Sequence, residues 1–297
     1  MAKIAVALDA ALARQRAGEL PPDVRPRRLA AGTGWSVEDV LCTHGPNDEP
    51  FEERHDRFVI ALVAAGAFEY RSSAGPALMT PGSLLLGNAG AVFECRHDHR
   101  TGDRCIAFRF ARECFEQIAA DAGMGGTEAR LRASRVAPSR TFARHAAAAC
   151  AGVVRGTAYG WDTLAFSLAD RVLSHLAGKA AVHPDALDAR ALERVMQVVS
   201  RIDEAPDGVL DLDSLARHAG LSPYHFVRTF RRATGTTPHQ YVLRARLRAA
   251  AARLADEPAK IVDIALDCGF DDLSNFNRAF RAEFGANPRA YRARFAG

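Results

Sequence analysis

The stretch IALDCGFDDLSNFNRAFRAEFGANPRAY, residues 264–291, repeats an earlier one, LARHAGLSPYHFVRTFRRATGTTPHQY, residues 215–241. Leu215, Ala216, Gly220 and Leu221 match Ile264, Ala265, Gly269 and Phe270 at an offset of 49 residues, and Phe226, Phe230, Gly235, Pro238 and Tyr241 match Phe276, Phe280, Gly285, Pro288 and Tyr291 at 50. Such self-similarity marks one supersecondary unit used twice. In each copy Ala-x3-Gly puts a small residue on a helix, then a glycine where the chain leaves it, in the left-handed region. A capping residue follows, Ser222 before Pro223 in one copy and Asp271/Asp272 in the other, and a second helix begins. Phe226 and Phe230, or Phe276, Phe280 and Phe284, point to one side of that helix. The opposite side carries Arg228 and Arg232 in the first copy and Asn277, Arg278 and Arg281 in the second. Helix, tight turn, then a helix with a polar and basic face is a form that enters a DNA major groove.

These helix-turn-helix units span about 212–233 and 261–284. Between them YVLRARLRAAAARLA, 241–255, has no breaker and predicts a helix on the order of 20 Å long. With the width of the units, it would set two reading helices about one DNA turn, roughly 34 Å, apart. Charge follows the same division. From Gly208 to Gly297 there are 14 Lys+Arg against 9 Asp+Glu, a net of +5, and residues 1–207 carry 25 against 26, a net of −1. A basic C-terminal end suits a polyanionic partner.

Residues 188–297 resemble the DNA-binding domain of the AraC/XylS family of transcriptional regulators, most clearly through DIALDCGFDDLSNFNRAFRAEFGANPRAYR, 263–292. The resemblance implies that residues early in each second helix contact double-stranded promoter DNA: Tyr224, His225, Val227 and Arg228 in the first, Ser274, Asn275, Asn277 and Arg278 in the second. Val227 departs from the polar residue common at that position, which leaves base reading by the first helix to Arg228. The resemblance further implies RNA polymerase as a partner and a preceding cupin-like β-barrel that binds a small effector and can dimerise. A homodimer would form through that barrel or through the helices between 140 and 177.

The rest of the chain fits this frame on its own terms. With 297 residues, 48% of them hydrophobic, the chain can build two domains and a connector. From Trp35 to Phe110 short apolar runs (RFVIALVAAG, SLLLG, CIAFRF) alternate with the breakers GPND, SSAGP, TPG, GNAG and RTGD. That spacing predicts an antiparallel sandwich or small barrel. Phe142–Val154 and Trp161–Leu176 read as helices, GKAAVHP (178–184) as a linker, and Leu187, Ala191, Val195, Val198, Val199 and Ile202 as the apolar stripe of another helix. The expected fold class is α+β. A lead-in (1–34) precedes a cupin-like antiparallel barrel (35–135) and a helical connector (136–184). An all-α DNA-binding domain (185–297) with the two helix-turn-helix units ends the chain. No apolar run reaches the roughly 18 residues of a membrane span. The six cysteines are scattered and show no CxxC, and with no export signal read in the sequence a cytoplasmic chain with reduced thiols is expected.

One further stretch carries chemistry: FECRHDHRTGDRC, 93–105. On a strand Phe93, Cys95, His97 and His99 share one face and Glu94, Arg96, Asp98 and Arg100 the other. A hairpin at Thr101-Gly102 would pair His97 with Ile106 and Cys95 with Phe108. That register turns Ile106, Phe108 and Phe110 inward and Cys105 outward. An odd loop would reverse this and expose three large apolar side chains, each worth ~1.5–3 kcal/mol when buried. Cys95, His97 and His99, with His44 or His55 as a fourth ligand, could hold zinc. The competing reading makes them the lining of an effector pocket. Regulation of transcription requires no catalysis and no cofactor. The alternative function is a metal-dependent cupin enzyme or metal sensor fused to the DNA-binding domain.

Overall fold

The computed structural model describes residues 2–19, 21–48, 51–97, 102–124, 130–155, 160–177 and 187–293. Helix α1 (Ala2–Arg16) precedes a strand-rich region. Its strands are β1 (Val24–Gly32), β2 (Trp35–Cys42), β3 (Phe51–Arg54), β4 (Phe58–Gly66), β5 (Phe68–Ser72), β6 (Gly75–Met79), β7 (Leu84–Gly87), β8 (Val92–Arg96), β9 (Asp103–Phe110) and the short β10 (Arg135–Val136). Helix α2 (Arg112–Asp121) comes before β10, and α3 (Arg140–Arg155) and α4 (Trp161–Ala177) after it.

The strands form two antiparallel sheets, one in the order β1-β2-β9-β4-β7-β10 and one in the order β3-β8-β5-β6. The expected barrel does not close among the described residues; each sheet keeps two edges. The central strands are covered on both faces, which is why β4, FVIALVAAG, reads as a continuous apolar run rather than an alternating one. Ile60, Leu62, Ile106, Phe108 and Phe110 face a core shared with Phe115, Phe142, Trp161 and Leu168 from α2, α3 and α4. Val59, Ala61, Val63, Cys105 and Ala107 face the other way, toward Phe68, Tyr70, Met79 and Cys95 of the second sheet.

Two expectations change here. Val24–Gly32, read as lead-in, is the edge strand β1 paired with β2. Its VRPRRLAAG sequence is mostly solvent-facing, so it lacks the apolar alternation that marks a strand. Pro and Arg suit an edge that must not recruit another chain. The β8–β9 hairpin does not form either. Strand β8 pairs with β3 and β5, whereas β9 pairs with β2 and β4, so the chain between them crosses from one sheet to the other. Residues 98–101 of the crossing, and with them His99, lie outside the described residues, as does the linker expected at 178–184.

The C-terminal part is all helix: α5 (Ala189–Glu204), α6 (Leu212–His218), α7 (Pro223–Thr234), α8 (Pro238–Asp256), α9 (Ile261–Asp267), α10 (Leu273–Phe284) and α11 (Pro288–Ala293). Val195, Val198, Val199 and Ile202 of α5 pack into one core with Leu215, Phe226, Phe230 and Tyr241. Leu247, Leu254, Ile264, Phe276, Phe280 and Tyr291 form a second. Each repeat therefore has its own core, and the 19-residue α8 runs through both. Helix α1 packs against β4 and β9 and also against α3 and α8. No described helix is long and apolar enough to cross a membrane.

Candidate nucleic-acid interface

The two second helices, α7 and α10, are built alike. Gly220 and Gly269, at φ +62° and +84°, make the turns that the Ala-x3-Gly spacing predicts. The Ser222 hydroxyl accepts from the His225 amide at 3.4 Å. The Asp272 carboxylate accepts from the Ser274 and Asn275 amides at 2.9 and 3.0 Å. A carboxylate at a helix N-terminus also complements the helix dipole, so α10 starts more firmly than α7. Phe226, Phe230, Phe276 and Phe280 are fully buried. That burial leaves Tyr224, His225, Arg228, Arg232, Ser274, Asn275, Asn277, Arg278 and Arg281 exposed.

Val227 is only half-exposed, in keeping with its apolar side chain. Tyr224 is 80% exposed, its ring lying outside the core that Phe226 and Phe230 enter. On α10 the Arg278 guanidinium donates to Asn275 Oδ1 at 3.2 Å, so two of the expected contact residues brace each other. The arrangement offers two capped, amide-terminated helices with hydrogen-bonding and cationic side chains along one edge.

The sequence does not foretell how these helices are held. The C-terminal ends of both dock on the segment after β10. A side chain at Gly235 would meet Ala137, and one at Gly285 would meet the Arg144 guanidinium. Arg135 donates to Leu78 O at 2.6 Å and to Ala233 O, in the last turn of α7, at 2.7 Å. Burial pushes the Arg135 guanidinium down to about 10, which leaves it charged at neutral pH. Arg244 of α8 donates to Pro138 O at 2.9 Å and sits 3.4 Å from the buried Glu283 carboxylate, which Arg140 approaches at 3.7 Å. Between α3 and α8 lies a cavity of about 210 Å³, lined by Phe142, Ala146, Cys150, Ala251, Arg248 and Glu283 among others.

The residues expected to line a pocket or bind metal separate into two places. His55 is buried, stacked on Phe93 at 4.1 Å between ring centres, with its Nε2 2.9 Å from the Tyr70 hydroxyl. Burial, with help from the Arg109 charge, pushes His55 down to about 4, so it is neutral at pH 7. Cys95 and His97 do point inward together, as strand parity requires, and both are buried. Cys105 does not point outward: it is buried on the same interior, and its thiol donates to Asp103 Oδ2 at 3.1 Å. Ile106, Phe108 and Phe110 are buried on the opposite face of β9, not on the side of Cys95. In a sheet covered on both faces, both sides are interior. His97 Nε2 meets Asp103 Oδ1 at 2.8 Å and the Cys42 sulfur at 3.8 Å, and His44 Nδ1 lies 3.6 Å from the same sulfur. Cys42 and Asp103 escaped sequence reasoning because they lie 61 residues apart and meet only through the β2–β9 pairing.

Residues 215–294 match a family model described as a helix-turn-helix domain. The chain is 36% identical over 100 residues to regulatory protein SoxS of Salmonella typhimurium, covering 34% of this chain and 94% of SoxS. It is 27% identical over 253 residues to transcriptional activator NphR of a Rhodococcus species, covering 80% of this chain and 70% of NphR. Among solved structures, a transcriptional regulator of the AraC-type DNA-binding class from Chromobacterium violaceum is 31% identical. It covers 37% of this chain and 97% of that one, with a TM-score of 0.34.

Proposed function

As this chain belongs to the AraC/XylS family of transcriptional regulators, we propose that α7 and α10 read two successive major grooves of promoter DNA on one face of the duplex. The observation that carries this reading is the repeat itself. Two capped helices bury their phenylalanines and present Tyr224, His225, Arg228 and Arg232, and Ser274, Asn275, Asn277, Arg278 and Arg281, to solvent. Helix α8, about 28 Å long at 1.5 Å per residue, spaces them. Arg278 and Asn275 are the base readers of α10. In α7 that role falls to Arg228, with Val227 making only apolar contact.

Residues 185–297 are assigned to DNA binding, and the sheets before them to a cupin-like sensing domain that a small effector controls. What supports control from that side is the set of ties from residues 135–144 to the ends of both reading helices. An effector that binds two arrangements of these ties unequally would shift the DNA-competent population. RNA polymerase is the second macromolecular partner, a homodimer the assembly, and the cytoplasm the location.

The test is selection of bound duplexes by the full chain, followed by gel-shift titration. Arg278→Ala should weaken the selected site by about 1–3 kcal/mol and relax base preference at one position. Affinity should also fall steeply with salt. Failure to enrich any sequence, or an Arg278→Ala variant with unchanged affinity and base preference, would overturn the reading.

A further inference from the structure

Among the described residues, Cys42, His97 and Asp103 are buried together, with one ligand atom of each within 4.8 Å of the others. They come from both sheets: Cys42 ends β2, Asp103 opens β9 directly opposite it, and His97 follows β8 of the second sheet. We propose that these three residues form a binding site for a borderline divalent transition cation such as zinc, with His44 as the fourth donor.

Geometry is the first support. His97 Nε2 is the point on which the others converge, 2.8 Å from Asp103 Oδ1 and 3.8 Å from Cys42 Sγ. Ligand atoms around tetrahedral zinc lie roughly 3.3–3.6 Å apart, given its bond lengths. The His97–Asp103 and His97–Cys42 separations are within roughly half an ångström of that spacing. His44 Nδ1 is 3.6 Å from the same sulfur, on a half-buried residue outside the three-residue cluster, and would turn toward the ion to complete the set. The ligands are also oriented from behind, as metal ligands need to be. The Phe68 ring stacks on His97 at 5.6 Å between centres, and the Cys105 thiol donates to Asp103 Oδ2.

Charge is the second support. One thiolate and one carboxylate together offset a dication, so the buried cluster becomes neutral on binding. The Cys42 sulfur lies 3.6 and 3.8 Å from the His44 and His97 imidazoles. Binding forms the sulfur–metal bond and releases the thiol proton to solvent. A sulfur, nitrogen and oxygen donor set suits zinc or cobalt(II) and disfavours magnesium and calcium. This site differs from the one expected at Cys95, His97 and His99: it keeps His97 and His44 and takes Cys42 and Asp103 instead.

The experiment uses the full chain, reduced and stripped with a chelator, then titrated with zinc against a chromogenic chelator and with cobalt(II) as a spectroscopic probe. Expected is one equivalent of either metal, with a thiolate-to-cobalt charge-transfer band and tetrahedral d–d absorption. Cys42→Ser should abolish the charge-transfer band. His97→Gln and Asp103→Asn should each weaken zinc binding at least tenfold. Cys268→Ser, in the second helix-turn-helix unit, should change nothing. Circular dichroism checks that each variant is folded; should Cys42→Ser fail to fold, His97→Gln and the wild-type cobalt spectrum decide. Absence of stoichiometric binding, a cobalt spectrum without a thiolate band, or binding that survives in folded Cys42→Ser or His97→Gln would overturn the proposal.

Discussion

Replacing Arg135 by Met tests how the first helix-turn-helix unit is fastened to the sheets. The guanidinium sits in β10 and donates from one nitrogen to Leu78 O of β6 and to Ala233 O of α7. Ala233 lies in the last turn of α7, where carbonyls have no partner within the helix and the dipole favours a cation. Hydrogen bonds to a charged group contribute ~1.5–3 kcal/mol each, so the pair is worth up to about 6 kcal/mol gross. Burying the cation offsets part of this, as its lowered pKa shows, and the Met side chain restores some apolar contact. The variant still leaves two carbonyls without their donor, and the net loss should be about 2–4 kcal/mol. Urea unfolding of the full chain should show a lower midpoint with an unchanged slope. Hydrogen exchange should quicken around 233–236, at the docked end of α7, and not in α10. A loss below about 0.5 kcal/mol with unchanged exchange would refute the reasoning, because it would mean that the two carbonyls find other partners.

Two further outcomes follow from single residues. Asp272→Ala removes the side chain that caps two amides of α10 and should lower stability by ~0.5–2 kcal/mol in thermal unfolding, while Asp272→Asn keeps most of it. His55 is held neutral, with its pKa lowered from 6.5 to about 4. The unfolded chain therefore binds the extra proton between those values, and stability falls as pH drops from 6.5 to about 4, by about 3 kcal/mol for this residue. In pH-dependent denaturation His55→Gln should flatten that part of the profile, and an unchanged slope would remove His55 as its source.

The C-terminal half was legible because its signals are local. A left-handed glycine, a cap three residues before a bonded amide and aromatics at helical spacing each act within one or two turns. Ser222, Asp272, Gly220 and Gly269 accordingly do in the structure what their spacing predicts. The strand region was legible only in kind. β1 hid because an edge strand rich in Arg and Pro carries no alternation, and β9 misled because alternation cannot say which of two covered faces a residue meets.

The sequence by itself determined the two repeated units, their caps, the helix that spaces them and the basic edge they present. Each of these depends on residues close together in the chain. Only the tertiary structure decided that β8 and β9 belong to different sheets, which carries Cys105 inward and sets Cys42 and Asp103 beside His97. It also decided that residues 135–144 hold the ends of α7 and α10. Those contacts join residues from tens to more than a hundred positions apart. Which strands pair, and which surfaces dock, is settled by burying apolar area across the whole chain rather than by any local pattern.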